Sequence, residues 1–394
     1  MCQEDQGGRG QGNSDCSSLA DPAVVCSSYG TVDGGSRGYP QEGGSPAAAS
    51  SGYGTPSREQ TKTNDMQGIR DTLRERGFSE QSANIIMSSW RSSTRSQYEV
   101  HIRRWTAYCS EREASAVQPS LVQVMEFLNT LVNRGLGYDS LNTARAALSS
   151  LGINFEGFRV GNHPLIVRYM KGAFNLNPPK PRYSCIWDVD LVLATLRGMS
   201  PVEHLTLKDL TLKLTMLMAL VQAARVQTLH LISMVGYKRL KDGFIFGFTG
   251  ALKQTRPNYK VVNLEFKAYP PDRRLCVYTV ICEYLLRTRE IRNNLGSEES
   301  FLLLSYVKPH RHISRDTISR WIKTVLEKAG IDCSIFGGGS VRAAAASKAK
   351  ANAVPLEKIM KKAGWTREST FARFYSKEIL SVEDSFQDGV LGDR

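Results

Sequence analysis

The run NPPKPRYS at 177–184 constrains this chain more than any other eight residues. Its prolines fix φ and remove backbone donors, so neither a helix nor a central strand continues through it. Two bodies are therefore expected on either side, 65–176 and 185–378, joined by a stiff basic linker at 177–184. Residues 1–62 precede them as a low-complexity arm. Its first fifty positions hold 10 Gly and 8 Ser, and the first sixty hold no Phe or Trp. Such a stretch buries too little apolar area to offset its ordering entropy and is expected to be a disordered tether.

The charge follows the same division. Over 394 residues there are 51 Lys+Arg and 38 Asp+Glu. Residues 1–60 hold 3 basic and 7 acidic groups, and the tail after Tyr375 holds 2 and 5. The body 61–375 keeps 46 basic and 26 acidic groups, a net +20. A folded region of that charge attracts polyanions, nucleic acid first among them. A hydrophobic fraction of 41% supports real cores and excludes wholesale disorder. No apolar run reaches the roughly 18 residues of a membrane span, and MCQEDQGGRG does not read as a secretory leader. The eight cysteines form no CxxC pair and have no histidines at zinc spacing. They read as reduced intracellular thiols, neither a disulfide framework nor a metal site.

Periodicity makes the first body helical. A short amphipathic helix is expected around MQGIRDTLRERGF. In SSTRSQYEVHIRRWTAYCSERE, Tyr98, Ile102, Trp105 and Cys109 recur at helical spacing, with Arg95, Arg103 and Arg104 on the opposite face. Thr94 and Gln97 there fit a capping box. PSLVQVMEFLNTLVNRG, DSLNTARAALSSLG and HPLIVRYMKGAF complete a bundle of four or five short helices. The second body is also mainly helical. LTLKDLTLKLTMLMALVQAARVQTLHLI breaks near Ala223–Arg225. DGFIFGFTG and YKVVNLEFK read as strands of a small inserted sheet around ALKQTRPN. A helix over PDRRLCVYTVICEYLLRTREIR and another capped by Ser314 follow. The last helices come from VRAAAASKAKAN, PLEKIMKKAG and TRESTFARFYSKEI. The fold class expected is mainly α with a small inserted β-sheet.

No phosphate-binding glycine loop, HExxH motif or recognisable hydrolase triad is present. What remains is a set of basic residues at helix ends and turns, with one aromatic hydroxyl near the C-terminus. These are Arg225 in AARVQTLHL, Lys253 in ALKQTRPN, Arg342 in GGGSVRAAAASKAK and Tyr375 in AGWTRESTFARFY. In this order, the phrases resemble the tyrosine recombinases of the phage-integrase superfamily, most closely those of DIRS-type retrotransposons. The resemblance covers roughly 85–378. It implies an N-terminal helical core-binding (SAM-like) domain and a C-terminal tyrosine recombinase catalytic domain.

The resemblance also implies a chemistry. A tyrosine hydroxyl attacks a DNA phosphodiester, leaving a 3′-phosphotyrosyl enzyme and a free 5′-hydroxyl, and a second 5′-hydroxyl reverses the step. Two guanidiniums clamp the charge growing on the non-bridging oxygens, and a lysine protonates the leaving oxygen. The covalent bond stores the energy for rejoining, so neither a metal nor a nucleotide cofactor is needed. Carried over, the arginines are Arg225 and Arg342, the lysine is Lys253 with Lys260 as its rival, and the nucleophile is Tyr375. Trp365 takes the family's His-or-Trp position. Two departures stand out. The histidine usual three residues before the second arginine is replaced by Gly339, and the often acidic position three after Arg225 is Thr228. Trp365 and Tyr375 stand ten residues apart, one more than the commonest spacing. Gly339 leaves two readings open: an impaired enzyme, or a domesticated or decayed DNA-binding protein that keeps the fold.

The partner implied is double-stranded DNA, held by a two-domain clamp as a dimer or tetramer, in the nucleus, with no membrane association. Arg95, Arg103, Arg104, Arg145, Arg168 and Lys348 are the expected phosphate contacts. The acidic tail 379–394 is expected either to dock on a neighbouring protomer or to fray.

Overall fold

The computed structural model describes residues 67–180, 183–255, 262–295 and 301–380, and the chain divides after Lys180 into two compact units. The N-terminal arm, Lys260 and most of the acidic tail, 381–394, lie outside the described residues.

The first unit holds helices α1 (Gln67–Glu75), α2 (Glu80–Met87), α3 (Ser92–Glu111), α4 (Leu121–Asn133), α5 (Tyr138–Ser150) and α6 (Pro164–Leu176). A two-residue hairpin, β1 (Asn154–Phe155) and β2 (Phe158–Arg159), precedes α6. The stripe Tyr98, Ile102, Trp105 and Cys109 is buried and packs with Phe127, Leu128, Leu131 and Leu148 of α4 and α5. Trp105 anchors this core: its ring meets Phe127 at 5.1 Å, and its indole N–H donates to Ala116 O at 2.9 Å. Helix α4 opens with a capping box in which Ser120 and Gln123 bond each other's main chain. Helix α3 instead starts at Ser92 with Arg91 as N-cap, so Thr94 lies inside it. The sequence contains both patterns, but α3 gains a further half-turn before Thr94. Among the described residues six helices stand where four or five were expected; the additional one is α2, eight residues long and capped by Ser79.

The second unit begins with β3 (Cys185–Ile186), α7 (Val189–Gly198), α8 (Leu207–Val221) and α9 (Val226–His230). A three-stranded antiparallel sheet follows, with β5 (Gly243–Phe246) central between β4 (Lys238–Leu240) and β6 (Leu264–Lys267). Helices α10 (Val277–Arg287), α11 (Arg289–Leu295), α12 (Arg315–Lys328), α13 (Val341–Ala351), α14 (Leu356–Ala363) and α15 (Glu368–Phe374) complete it, with β7 (Glu378–Ile379). The single helix expected over 271–292 is two, preceded by a 3-10 turn at Arg273–Leu275. Thr288 ends the first of these as its C-cap. Helix α8 is buried nearly all round, from Leu210 through Ala219, and is the axis of the larger core. Ser314 caps α12 as the sequence indicated. Strand β7 pairs in parallel with β3 of the same chain, and Leu380 N donates to Ile186 O at 2.7 Å. The start of the acidic tail is thus docked on its own unit. No helix among the described residues is long and apolar enough to cross a membrane.

Candidate active site

Four segments of the second unit meet in a small buried cluster formed by Ala223, Ala346, Ile359, Ala363, Trp365 and Phe371, with Tyr375 packed against it. The first segment is the break between α8 and α9. Ala223 turns there with φ +41, and Arg225 becomes the extended N-cap of α9. The second is the start of α13. Gly338 approaches α12 so closely that a Cβ would stand 3.0 Å from Ser319 O. Beside it, Ser340 Oγ donates to Gly337 O (2.7 Å) and accepts from the Trp187 indole N–H (2.8 Å). These ties fix the entry to α13, whose second residue is Arg342. The third segment is the end of α14, where Gly364 takes the left-handed φ +69 and leads into Trp365. The fourth is the end of α15, where Tyr375 is C-cap. Ser347 of α13 holds this last turn, donating to Tyr375 O (2.9 Å) and accepting from Lys377 N (3.0 Å).

Arg342 is only 4% exposed. Its Nη1 donates to Ala223 O (2.6 Å) and its Nη2 to Ala363 O (2.7 Å), joining two of the four segments. Its guanidinium lies 4.3 Å from the Trp365 ring and 5.3 Å from the Tyr375 ring, and the two rings are 4.5 Å apart. Burial pushes Arg342 down to about 9, and the Arg225 cation adds to the push, while the Tyr375 hydroxyl opposes it by charge and hydrogen bonding. Arg342 therefore remains a cation at neutral pH. Arg225 is also held below its usual range by burial, and Tyr375 again pulls the other way through charge and a side-chain hydrogen bond. Among the described residues no carboxylate acts on either arginine.

Three donors of this cluster are buried without a partner: Arg225 Nη1, Arg342 Nε and Trp365 Nε1. Each such donor costs about 1–3 kcal/mol, and unneutralised buried charge costs more. Two cations and an indole N–H, each short of an acceptor and packed around one tyrosine, form a site for an oxyanion. The chemistry available is phosphoryl or sulfuryl binding, with a phenol positioned as nucleophile.

The structure brings Arg225, Arg342, Trp365 and Tyr375 together. Lys253 sits half-buried in a turn closed by Leu252 N to Thr255 Oγ1 (3.0 Å) and Thr255 N to Leu252 O (2.9 Å). Gly339 lies in the 3-10 turn before α13, and a Cβ built on it meets nothing within 4 Å. The usual histidine position is thus open space rather than space filled by another group.

The basic residues expected on DNA divide differently. Arg104 and Arg168 are exposed, and Arg95 and Arg145 are half-buried. Arg103 is exposed but ion-paired with Glu99 at 3.6 Å. Lys348 is ion-paired with Asp190 at 2.5 Å and lies 3.9 Å from Asp188, so its charge is already matched within α7 and its cap. Sequence reasoning missed Ser347, the Trp187–Ser340 pair and Gln254. Each acts through a tertiary hydrogen bond that no local spacing announces.

No protein-family model matches the sequence, and no curated protein matches it. Among solved structures, a pre-cleavage complex of the XerH site-specific recombinase bound to difH substrate aligns with TM-score 0.51 at 12% identity, covering 85% of this chain and 90% of that one. A post-cleavage complex of XerH bound to palindromic difH aligns with TM-score 0.51 at 14% identity over the same shares. A lambda integrase dimer bound to a COC′ core site aligns with TM-score 0.47 at 15% identity, covering 82% of this chain and 99% of that one. The likeness to XerH shows a shared fold: a helical unit followed by a larger, mainly helical unit with small sheets.

Proposed function

We propose that this protein is a DNA-binding tyrosine recombinase that cleaves and rejoins duplex DNA through Tyr375. The observation that carries the reading is the packing of Arg225, Arg342 and Trp365, each with a buried unpartnered donor, around Tyr375, whose side chain hydrogen-bonds both arginines. The fold shared with XerH supports it.

The scissile phosphate docks on the two guanidiniums and the indole N–H, which replaces the acceptors those groups lack. The Tyr375 oxygen loses its proton to solvent and bonds to phosphorus. The P–O5′ bond breaks, its electron pair leaves with O5′, and the Lys253 ammonium protonates that oxygen. Charge peaks on the non-bridging oxygens in the transition state, where desolvated guanidiniums stabilise it most. Loss of one general acid–base group typically costs about 10²- to 10⁴-fold in rate, so cleavage is slow rather than absent.

We extend the proposal, on the sequence resemblance to DIRS-type enzymes, to a protein of a mobile element or a remnant of one that acts in the nucleus as a dimer or tetramer on DNA. The second reading, a DNA-binding protein that no longer cleaves, is favoured by one observation, the glycine at 339. A nicked duplex of randomised sequence, incubated with the full chain and resolved under denaturing conditions, separates the two. The enzyme gives a covalent protein–DNA band that Tyr375→Phe abolishes. A binder shifts the DNA in native gels and gives no covalent band.

A further inference from the structure

We infer that Gln254 is a positioning residue that couples the Lys253 turn to the phosphate-binding cluster. The inference rests on the proposed role of Lys253 as proton donor. Gln254 Nε2 donates to Gly364 O at 3.0 Å and makes a longer contact with Ala363 O at 3.5 Å. Ala363 O is also the acceptor of Arg342 Nη2. One carbonyl corner between α14 and Trp365 therefore receives both the guanidinium and the residue next to the lysine.

The corner is shaped for this approach. Gly364 has φ +69, and a Cβ there would collide with the Gln254 amide. The other side of the turn is held by buried Leu252 and by the two bonds between Leu252 and Thr255. Lys253 is carried between these fixed points. A lysine on a long, flexible side chain loses proton-transfer efficiency when its base drifts, and a misplacement near 1 Å costs about 10²-fold. Gln254 touches no reacting atom in this account. It sets where Lys253 starts from relative to Arg342.

This predicts a defect confined to leaving-group protonation. A 5′-bridging sulfur in place of the leaving oxygen departs as a thiolate and needs no proton, so it repairs a proton-donor defect and no other. The full-length chain and its Gln254→Ala, Gln254→Glu, Lys253→Ala and Tyr375→Phe variants are incubated with a randomised-sequence nicked duplex carrying either oxygen or sulfur at that bridge. The rate of covalent-adduct formation is read, and thermal unfolding checks that each variant is folded. Gln254→Ala and the near-isosteric Gln254→Glu, which removes the donor, are expected to lose about 10- to 100-fold on oxygen. Both are expected to return to within a few-fold of wild type on sulfur.

Equal losses on both substrates, or no loss on oxygen, overturn the inference. Failure of sulfur to rescue Lys253→Ala overturns the lysine's role and the inference with it. An adduct from Tyr375→Phe, or none from wild type on either substrate, overturns the proposed function itself.

Discussion

Arg342 carries the heaviest physical burden of any single residue here. It is a buried cation facing a second one, held by the carbonyls of Ala223 and Ala363 and left with an unpartnered Nε. Lysine cannot reproduce that fork, so Arg342→Lys is predicted to lower the single-turnover rate of covalent-adduct formation by about 10²- to 10³-fold. Gly339 points the other way. The space beside it is open and its φ is not in the left-handed region, so a side chain fits. Gly339→His is predicted to raise the adduct rate by about 10²-fold, with a new ionisation near the ordinary histidine range in the pH–rate profile. An unchanged rate and profile would show that the open position does not face the reacting phosphate. At this scale the sequence was informative where residues mark breaks in the chain. Arg225 follows a helix end, Arg342 follows a glycine run, and Trp365 follows a helix-terminating glycine. Gln254, Ser347 and Ser340 were hidden because each meets its partner across the fold.

Among the elements, α4 is the clearest case of local signals that agree. Its capping box satisfies two end groups reciprocally, and Ser120→Ala is predicted to cost about 1 kcal/mol in urea unfolding of the helical unit. The apolar stripes of α3 and α4 were legible for the same reason: side-chain period and burial coincide. Helix α8 had no readable face, since it is buried nearly all round. The division between α10 and α11 was missed because helical periodicity runs through it, and strand β4 because its residues are exposed and carry no alternation. Two buried titratable groups give the elements a pH signature. His101 of α3 is pushed down to about 4 from 6.5, by burial and then by Arg104. The unfolded chain binds more protons than the folded one between those values, so the helical unit loses stability as pH falls from 6.5 to 4. Lys213 of α8 is fully buried, donates to Met199 O and Ser200 Oγ, and is pushed down to about 8 from 10.5, mainly by burial. Its unit is predicted to gain stability as pH rises from 8 to 10.5, until other groups titrate. Denaturant midpoints measured across both windows, with His101→Phe and Lys213→Met flattening their respective slopes, check the pair. A slope that survives either substitution assigns the effect elsewhere.

For the whole molecule, the net +20 over 61–375 is the property that acts at a distance. Phosphate neutralisation releases counterions, so the affinity for duplex DNA is predicted to fall steeply between 50 and 200 mM salt, by about 10³-fold or more if six phosphates are contacted. A flat salt response in a titration would remove electrostatics from the account. Arg104 and Arg168 are exposed and suited to that role, whereas Lys348 is already paired with Asp190. Its substitution is expected to leave the salt slope unchanged.

The central claim is that Tyr375 forms a bond to DNA phosphorus. Protease digestion of the denatured covalent complex, nuclease trimming and mass spectrometry of the peptides test it most directly. The account predicts a 3′-phosphonucleotide on the peptide that contains Tyr375 and on no other. DNA bound tightly by the wild-type protein with every peptide unmodified, or a nucleotide carried by a different residue, would contradict it.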